Sequence, residues 1–270
     1  MQGVHAMLSV EHLLEEARDN GLPINKMRGI LREYVQVIIL NSVYKHALGR
    51  CTYFTGGTCL RYFYTMPRFS EDLDFDAVGL TYKGFKEILE CVERGLIREG
   101  FSPGVSSEAR GALYVAELSF RDLMRMYGIT DKRGLDVMIK IEAYTPPWKT
   151  KSESGVISLY GYNFAAVLLE KGCMFSEKLC ALLNRRRGRD IYDTLFMLKK
   201  KFPFNKDVLM AVKVQGNPGE SILRHLRSLP EKEIKSLANQ VKPFLFKEDD
   251  TDLILNASLY AEKFLNEYKE

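Results

Sequence analysis

Long apolar runs, clustered cysteines and a strong net charge are all missing from this 270-residue sequence. The longest apolar runs, at 37–40 and 164–169, fall far short of the ~20 residues that a membrane-spanning helix requires, so we expect no membrane segment. The five cysteines are scattered without C-x-x-C spacing, which is typical of reduced thiols in the cytosol and argues against a zinc site. No basic and apolar leader is visible, so we expect no secretory signal and a cytoplasmic protein. The net charge of +4 is too small by itself to indicate nucleic-acid binding.

The remaining composition is that of an ordinary globular protein, with 46% hydrophobic and 27% charged residues. Alternating or clustered apolar residues predict strands at 51–55, 71–78, 112–120 and 135–143, and one or two more within 156–169. Helical spacing predicts helices at 25–46, 58–64 and 82–99, and from residue 172 to the end, where the last helix covers 251–268. A polar stretch at 149–155 predicts a loop.

This order of elements predicts an α+β fold, in which a mixed sheet flanked by helices is followed by a helical C-terminal region. We expect a first domain over residues 1–170 and a second, helical domain over residues 171–270.

The segment Gly56-Gly57-Thr58 follows a predicted strand and opens a predicted helix. Glycine lets the backbone turn sharply and approach a ligand closely. Free N–H groups at a helix start suit a phosphate group. The segment is therefore a candidate phosphate-binding turn, and an ordinary structural turn is the alternative.

Three aspartates, Asp72, Asp74 and Asp76, alternate with Leu73 and Phe75. Residues two apart on a strand share a face, so the pattern predicts that the carboxylates line one side while the apolar pair enters the core. Carboxylates this close repel one another, and a hard cation such as Mg²⁺ or Mn²⁺ removes the repulsion. A metal site is one interpretation, and a solvated acidic edge strand is the other.

A third carboxylate would complete such a metal site, and the predicted strand at 135–143 offers Glu142 or Asp136. Both share the parity of Lys140 along the strand, so the pattern does not choose between them. Lys140 and Glu142 also fit a simple ion pair on one face of the strand.

Basic and acidic residues are concentrated in one segment of the helical half. Lys178 lies off the apolar stripe of its predicted helix, four arginines surround Gly188, and two aspartates begin the next helix. The arginines are Arg185, Arg186, Arg187 and Arg189, and the aspartates are Asp190 and Asp193. Guanidinium groups bind phosphate oxygens well, whereas carboxylates favour a helix start, so the segment predicts a phosphate-binding surface or a solvated turn with a helix cap.

The order of these motifs resembles that of the AbiEii/AbiGii toxin family, within the DNA polymerase β-like nucleotidyltransferase superfamily. The motifs are Gly-Gly-Thr, Arg-Phe-Ser-Glu-Asp-Leu-Asp-Phe, Lys-Ile-Glu, and Glu-Lys-Leu-x-Ala-Leu followed by Arg-Asp-Ile-Tyr-Asp. The resemblance covers residues 27–200 and implies a nucleotidyltransferase core followed by a helical region. One departure is the interval between Thr58 and Asp72, which is longer than is usual in the superfamily.

The resemblance also implies roles for individual residues. Asp72 and Asp74 would bind the metal, Glu142 would be the third carboxylate, and Asp76 is the alternative ligand. The triphosphate would be held by Gly56, Gly57 and Thr58, with Lys140, Lys178, Arg185, Arg189, Asp190 and Asp193 as further site residues.

The activity implied by the resemblance is metal-dependent transfer of a nucleotide from an NTP to an acceptor hydroxyl, with Mg²⁺ or Mn²⁺ as cofactor. The acceptor would be RNA, at the 3′ end of tRNA, and the protein would be the toxin of a toxin–antitoxin or abortive-infection system with an antitoxin partner. The alternatives are an NTP-binding switch without turnover and a protein adenylyltransferase, which would use the same residues.

Overall fold

The structure, a computed structural model, describes residues 7–268. These residues divide into two units, each built from three segments of the chain. The segments of the first unit are residues 7–65, 69–146 and 152–168, and those of the second are residues 66–68, 147–151 and 169–268. No helix in this described part is long and apolar enough to span a membrane.

The first unit contains five helices and the seven strands of one sheet, counted over the described residues. The helices are α1 (Val10–Asp19), α2 (Met27–Lys45), α3 (Gly56–Tyr64), α4 (Tyr82–Arg98) and α5 (Leu123–Met126). The strands are β1 (Thr52–Thr55), β2 (Leu73–Ala77), β3 (Gly104–Arg110), β4 (Leu113–Phe120), β5 (Val137–Tyr144), β6 (Ser152–Leu159) and β7 (Tyr162–Leu169).

The strand order across the sheet is β3-β4-β5-β2-β1-β7-β6. Strand β2 lies at the centre, antiparallel to β1 on one side and parallel to β5 on the other. Strands β4 and β3 extend the β5 side in antiparallel register. The sheet is therefore mixed, and the predicted α+β fold class is confirmed.

Helix α2 lies in the core of the first unit. Every residue from Ile30 to Val43 is buried, so the helix is enclosed on all sides rather than on one apolar face. Three of the enclosed residues are polar or charged, namely Arg32, Glu33 and Gln36. Their side chains bond to neighbouring elements, as buried polar groups require, and two of them reach the segment that leads into β2.

The two strands at the ends of the sheet are the ones that the sequence pattern predicted least well. Strand β3 was not predicted, and the predicted loop at 149–155 is wrong because β6 begins at Ser152. Both are edge strands with many exposed polar residues, so neither carries the apolar alternation of a half-buried strand.

The second unit is helical in its described part. Its helices are α6 (Lys171–Asn184), α7 (Gly188–Lys199), α8 (Lys206–Ala211), α9 (Pro218–Ser228), α10 (Glu231–Val241), α11 (Asp252–Leu255) and α12 (Ala257–Tyr268). Helix α7 is the central one and packs against α6, α10 and α12. The single helix predicted at 251–268 is interrupted at Asn256, whose side chain bonds to Asp252 at 2.7 Å and so competes with regular helix geometry.

Candidate active site

The glycine turn between β1 and α3 lies directly against a carboxylate of β2. Gly56 has φ +74°, a conformation that favours glycine, and a Cβ at this position would lie 2.1 Å from Asp74 Oδ2. The turn therefore requires glycine for two reasons, its backbone angle and its contact with Asp74. Helix α3 begins here, and its N-cap residue Thr55 makes no side-chain capping bond, which leaves the first N–H groups of α3 without a side-chain cap.

Asp74 and Glu142 are direct neighbours across the sheet. The parallel register of β2 and β5 pairs Asp74 with Glu142, and the antiparallel register of β1 and β2 pairs Asp74 with Thr55. Paired residues point to the same face of a sheet, so these two carboxylates share one face beside the glycine turn. Asp136 precedes β5, six residues from Glu142, and does not take this position.

The backbone that leads into β2 is held by three hydrogen bonds. The amide of Gln36 donates to the carbonyl oxygens of Ser70 at 3.1 Å and Glu71 at 2.9 Å. The Thr58 hydroxyl donates to the carbonyl oxygen of Asp72 at 2.5 Å. The buried Thr58 side chain thus links the glycine turn to the aspartate strand, and the sequence pattern did not indicate this link.

The three alternating aspartates differ in exposure. Asp72 and Asp74 are partly exposed, whereas Asp76 is 2% exposed and lies between Tyr53 and Tyr144 in register. Leu73 and Phe75 are buried, as the alternation predicted. The first two aspartates are therefore the ones that a ligand in solvent can reach.

The oxygen donors at this place suit a Mg²⁺ or Mn²⁺ ion. Within residues 7–268 no group of three or more His, Cys, Asp and Glu side chains is gathered closely enough to hold a metal ion. Mg²⁺, however, is usually bound by one or two carboxylates together with substrate phosphates and water. Asp72 and Asp74 provide such a pair, and the contact of Asp74 with Gly56 puts the carboxylate beside a turn that suits phosphate.

Lys140 lies on the same face of β5 as Glu142. Its Nζ is 3.6 Å from Glu142 Oε1, and both side chains are about one-third exposed, so the pair adds little to stability. On the other side of Lys140, the register with β4 places Glu117 directly opposite.

In the second unit, four charged residues form a buried ion-pair network, which consists of Arg68, Lys178, Asp190 and Asp193. The guanidinium of Arg68 donates through Nε and Nη2 to the two carboxylate oxygens of Asp193, both at 2.8 Å. Lys178 Nζ lies 3.0 Å from Asp193 and 3.2 Å from Asp190. Arg68 is 1% exposed and Asp193 is fully buried, so the network is enclosed by protein.

The pKa values in this network reflect the pairing. Burial alone would raise the pKa of Asp193, but the charges of Arg68 and Lys178 outweigh it and the pKa is lowered. Burial alone would lower the pKa of Lys178, but Asp193 and Asp190 outweigh it and the pKa is raised. All the ionised forms therefore stabilise one another.

The arginine-rich segment is more exposed than the network. Arg185 is exposed, Arg186 forms an ion pair with Glu233 at 3.0 Å, and Arg189 stacks over the ring of Phe244 at 5.6 Å. Arg68, which holds Asp193, was not among the predicted site residues. Its only signal was its position at the start of the Arg-Phe-Ser-Glu-Asp motif, because its partner lies 125 residues away.

Comparison with known proteins gives a family and a fold. The sequence model of a family described as nucleotidyl transferase AbiEii toxin, of a type IV toxin–antitoxin system, matches residues 38–257. No curated protein matches the chain. Among solved structures, MenT4, a nucleotidyltransferase toxin from Mycobacterium tuberculosis, is 16% identical with a TM-score of 0.57, over 94% of this chain and 90% of that chain. JHP933 from Helicobacter pylori is 17% identical with a TM-score of 0.53, over 89% of this chain and 93% of that chain.

Proposed function

Because the chain belongs to the AbiEii family of nucleotidyltransferase toxins, we propose that it transfers a nucleoside monophosphate from an NTP to a hydroxyl of RNA, at the 3′ end of tRNA. The observation that carries this proposal is the contact between the Asp74 carboxylate and the glycine turn, with Glu142 next to Asp74 in the sheet. A phosphate-binding turn and a pair of reachable carboxylates are what phosphoryl transfer by positioning and charge stabilisation requires.

In the proposed site, the N–H groups at the start of α3 bind phosphate oxygens of the NTP. Asp72 and Asp74 would hold Mg²⁺ or Mn²⁺, with Glu142 as the third carboxylate. When bound, the ion would stabilise negative charge on the phosphates.

Glu142 would accept the proton of the acceptor hydroxyl, since its carboxylate lies on the same face as Asp74. The acceptor oxygen then forms a bond to the α-phosphorus, the bond from that phosphorus to the α–β bridging oxygen breaks, and pyrophosphate leaves. Lys140 lies beside Glu142 and would keep that carboxylate oriented.

The roles of the second unit stay predictions. These are contacts of Lys178, Arg185, Arg189 and Asp190 with the nucleotide, and a role of Asp193 in orienting Lys178, which it contacts. The domain boundary near residue 170 and an antitoxin partner, which a type IV toxin–antitoxin family suggests, belong to the same proposal.

The test is label transfer from each α-³²P-labelled NTP to total RNA in the presence of Mg²⁺. Asp74→Asn keeps the shape of the side chain but removes its charge, and we expect it to lower transfer at least about 100-fold. Asp19→Asn, an exposed aspartate of α1 in the same unit, is the matched control and should transfer label as the wild type does.

Three results would contradict the proposal. Full activity of Asp74→Asn removes the metal assignment. Label found on protein identifies an adenylyltransferase, and intact NTP that stays bound without transfer identifies a switch.

A further inference from the structure

A cavity of about 240 Å³ lies next to Asp72 in the first unit, and helix α2 and strands β4 and β5 contribute to its wall. We propose that this cavity binds a phosphate group of the acceptor polynucleotide, through Arg28, Arg32 and Lys140. The inference rests on the proposed function, because it assigns the acceptor side of the same reaction.

The position of the cavity in the sheet separates it from the glycine turn. The turn follows β1, which pairs with one side of β2, whereas the cavity is lined by residues of β5 and β4, which extend from the other side. Asp72 precedes β2 and lines the cavity. An NTP at the glycine turn therefore leaves the β5 side of Asp72 for the second substrate.

Arg32 gives the cavity a buried and incompletely bonded cation. It is 6% exposed, and its Nη1 donates to Glu71 Oε1 at 2.9 Å. Its Nε is buried and has no hydrogen-bond partner among the described residues. A guanidinium carries five N–H donors in a fork that matches phosphate, so Arg32 keeps donors for an oxyanion.

Arg28 lies one helical turn before Arg32 on α2. Residues four apart on a helix are neighbours, so the two positive charges repel each other. The repulsion from Arg28 adds to burial, the main cause of the lowered pKa of Arg32, while Glu71 acts in the opposite direction. Within residues 7–268 Arg28, which is exposed, forms no ion pair of its own. An anion bound between the two arginines would remove their repulsion.

The carboxylates of the cavity favour a phosphodiester over a triphosphate. Glu71 is paired with Arg32, Glu117 lies opposite Lys140, and Asp72 adds a third negative charge. A phosphodiester carries a single negative charge, whereas a triphosphate carries several, and these carboxylates would repel the more highly charged group. The donor set therefore fits the backbone of the acceptor better than the NTP.

The test measures binding without turnover. Fluorescence anisotropy of a labelled single-stranded oligoribonucleotide, in EDTA and without NTP, gives Kd as a function of salt for the full chain. We expect Arg28→Gln to weaken binding about fivefold and to reduce the slope of log Kd against log salt by about 0.7, the value for one lost phosphate contact on a single strand. Lys140→Gln should act in the same direction from the opposite wall. Binding of each NTP, measured by thermal shift with Mg²⁺, should not change in Arg28→Gln.

The matched control is Arg94→Gln, which removes an exposed arginine of α4 in the same unit outside the cavity and should bind the oligoribonucleotide as the wild type does. The inference is overturned if Arg28→Gln and Lys140→Gln keep the wild-type Kd and salt slope, if the wild type does not bind the oligoribonucleotide, or if Arg28→Gln weakens NTP binding instead. Label transfer separates the two proposals. Transfer to RNA with unchanged oligoribonucleotide binding in the variants removes only the cavity, and weakened binding without any transfer to RNA removes only the proposed reaction.

Discussion

The carboxylates of the first unit and those of the second lie in opposite environments. Asp72, Asp74 and Glu142 are partly exposed, and the backbone around Asp72 and Asp74 is held by register, by Gly56 and by Thr58. Asp193 is fully buried and is compensated by two cations of its own unit. The same type of side chain is therefore available for a ligand in one unit and already paired with protein in the other.

This contrast predicts different consequences for one chemical change. Asp193→Asn removes the negative charge from the buried ion-pair network and leaves Arg68 and Lys178 with less compensation. We expect it to lower the free energy of unfolding by about 3 kcal/mol or more, since breaking a buried pair costs about 3–5 kcal/mol. Asp74→Asn, at a partly exposed position, should change the free energy of unfolding by less than about 0.5 kcal/mol. Urea unfolding followed by circular dichroism measures both.

The pH dependence of stability checks the same pair. The pKa of Asp193 is lowered in the folded state, so its contribution is present above its unfolded pKa of about 3.9 and is lost as the pH falls through the folded value. The wild type should therefore lose stability in acid more steeply than Asp193→Asn. The raised pKa of Lys178 acts in the opposite direction, and its contribution is lost as the pH rises through the folded value. Equal stability of the two proteins at neutral pH would contradict the assignment of a stabilising network.

Gly56→Ala should affect activity more than stability. The change strains a backbone at φ +74° and places a Cβ 2.1 Å from Asp74 Oδ2, so the carboxylate has to move. We expect a loss of about 1–2 kcal/mol in the free energy of unfolding and at least about a 100-fold loss of label transfer, since displacement of a site group by about 1 Å is costly.

Gly79→Ala is the matched control for this prediction. Gly79 has φ +69°, but a Cβ there meets nothing within 4 Å. It carries the same strain without the contact, so it should lose stability and keep activity. Equal losses of activity in the two variants would show that strain, and not the contact with Asp74, is what matters at Gly56.

The sequence predicted the centre of this fold better than its margins. The alternation in β2 gave both the strand and its apolar face, because a central strand beside a packed helix has a regular pattern. The edge strands β3 and β6 lack that pattern, because solvent accepts any polar residue there.

The same limit applies to the candidate site. The spacing within Asp72–Asp76 is local and could be read from the sequence. The pairing of Asp74 with Glu142 depends on strand register, and that of Arg68 with Asp193 joins residues 125 positions apart. Neither register nor long-range pairing is encoded in a local period, which is why Arg68 and Gln36 were not predicted.

Thr58→Val tests the smallest of these effects and decides between two roles for one hydroxyl. The resemblance gives Thr58 a contact with the triphosphate, whereas in the structure its hydroxyl donates to the carbonyl oxygen of Asp72. If the hydroxyl is structural, Thr58→Val should lower the free energy of unfolding by about 1 kcal/mol, the usual contribution of one hydrogen bond, and should reduce transfer only through the shift of Asp72. Thr58→Ser keeps the hydroxyl and should restore both properties. An inactive Thr58→Val of wild-type stability would instead assign the hydroxyl to the nucleotide, and would make Thr58 part of the same solvent-accessible site as Asp74.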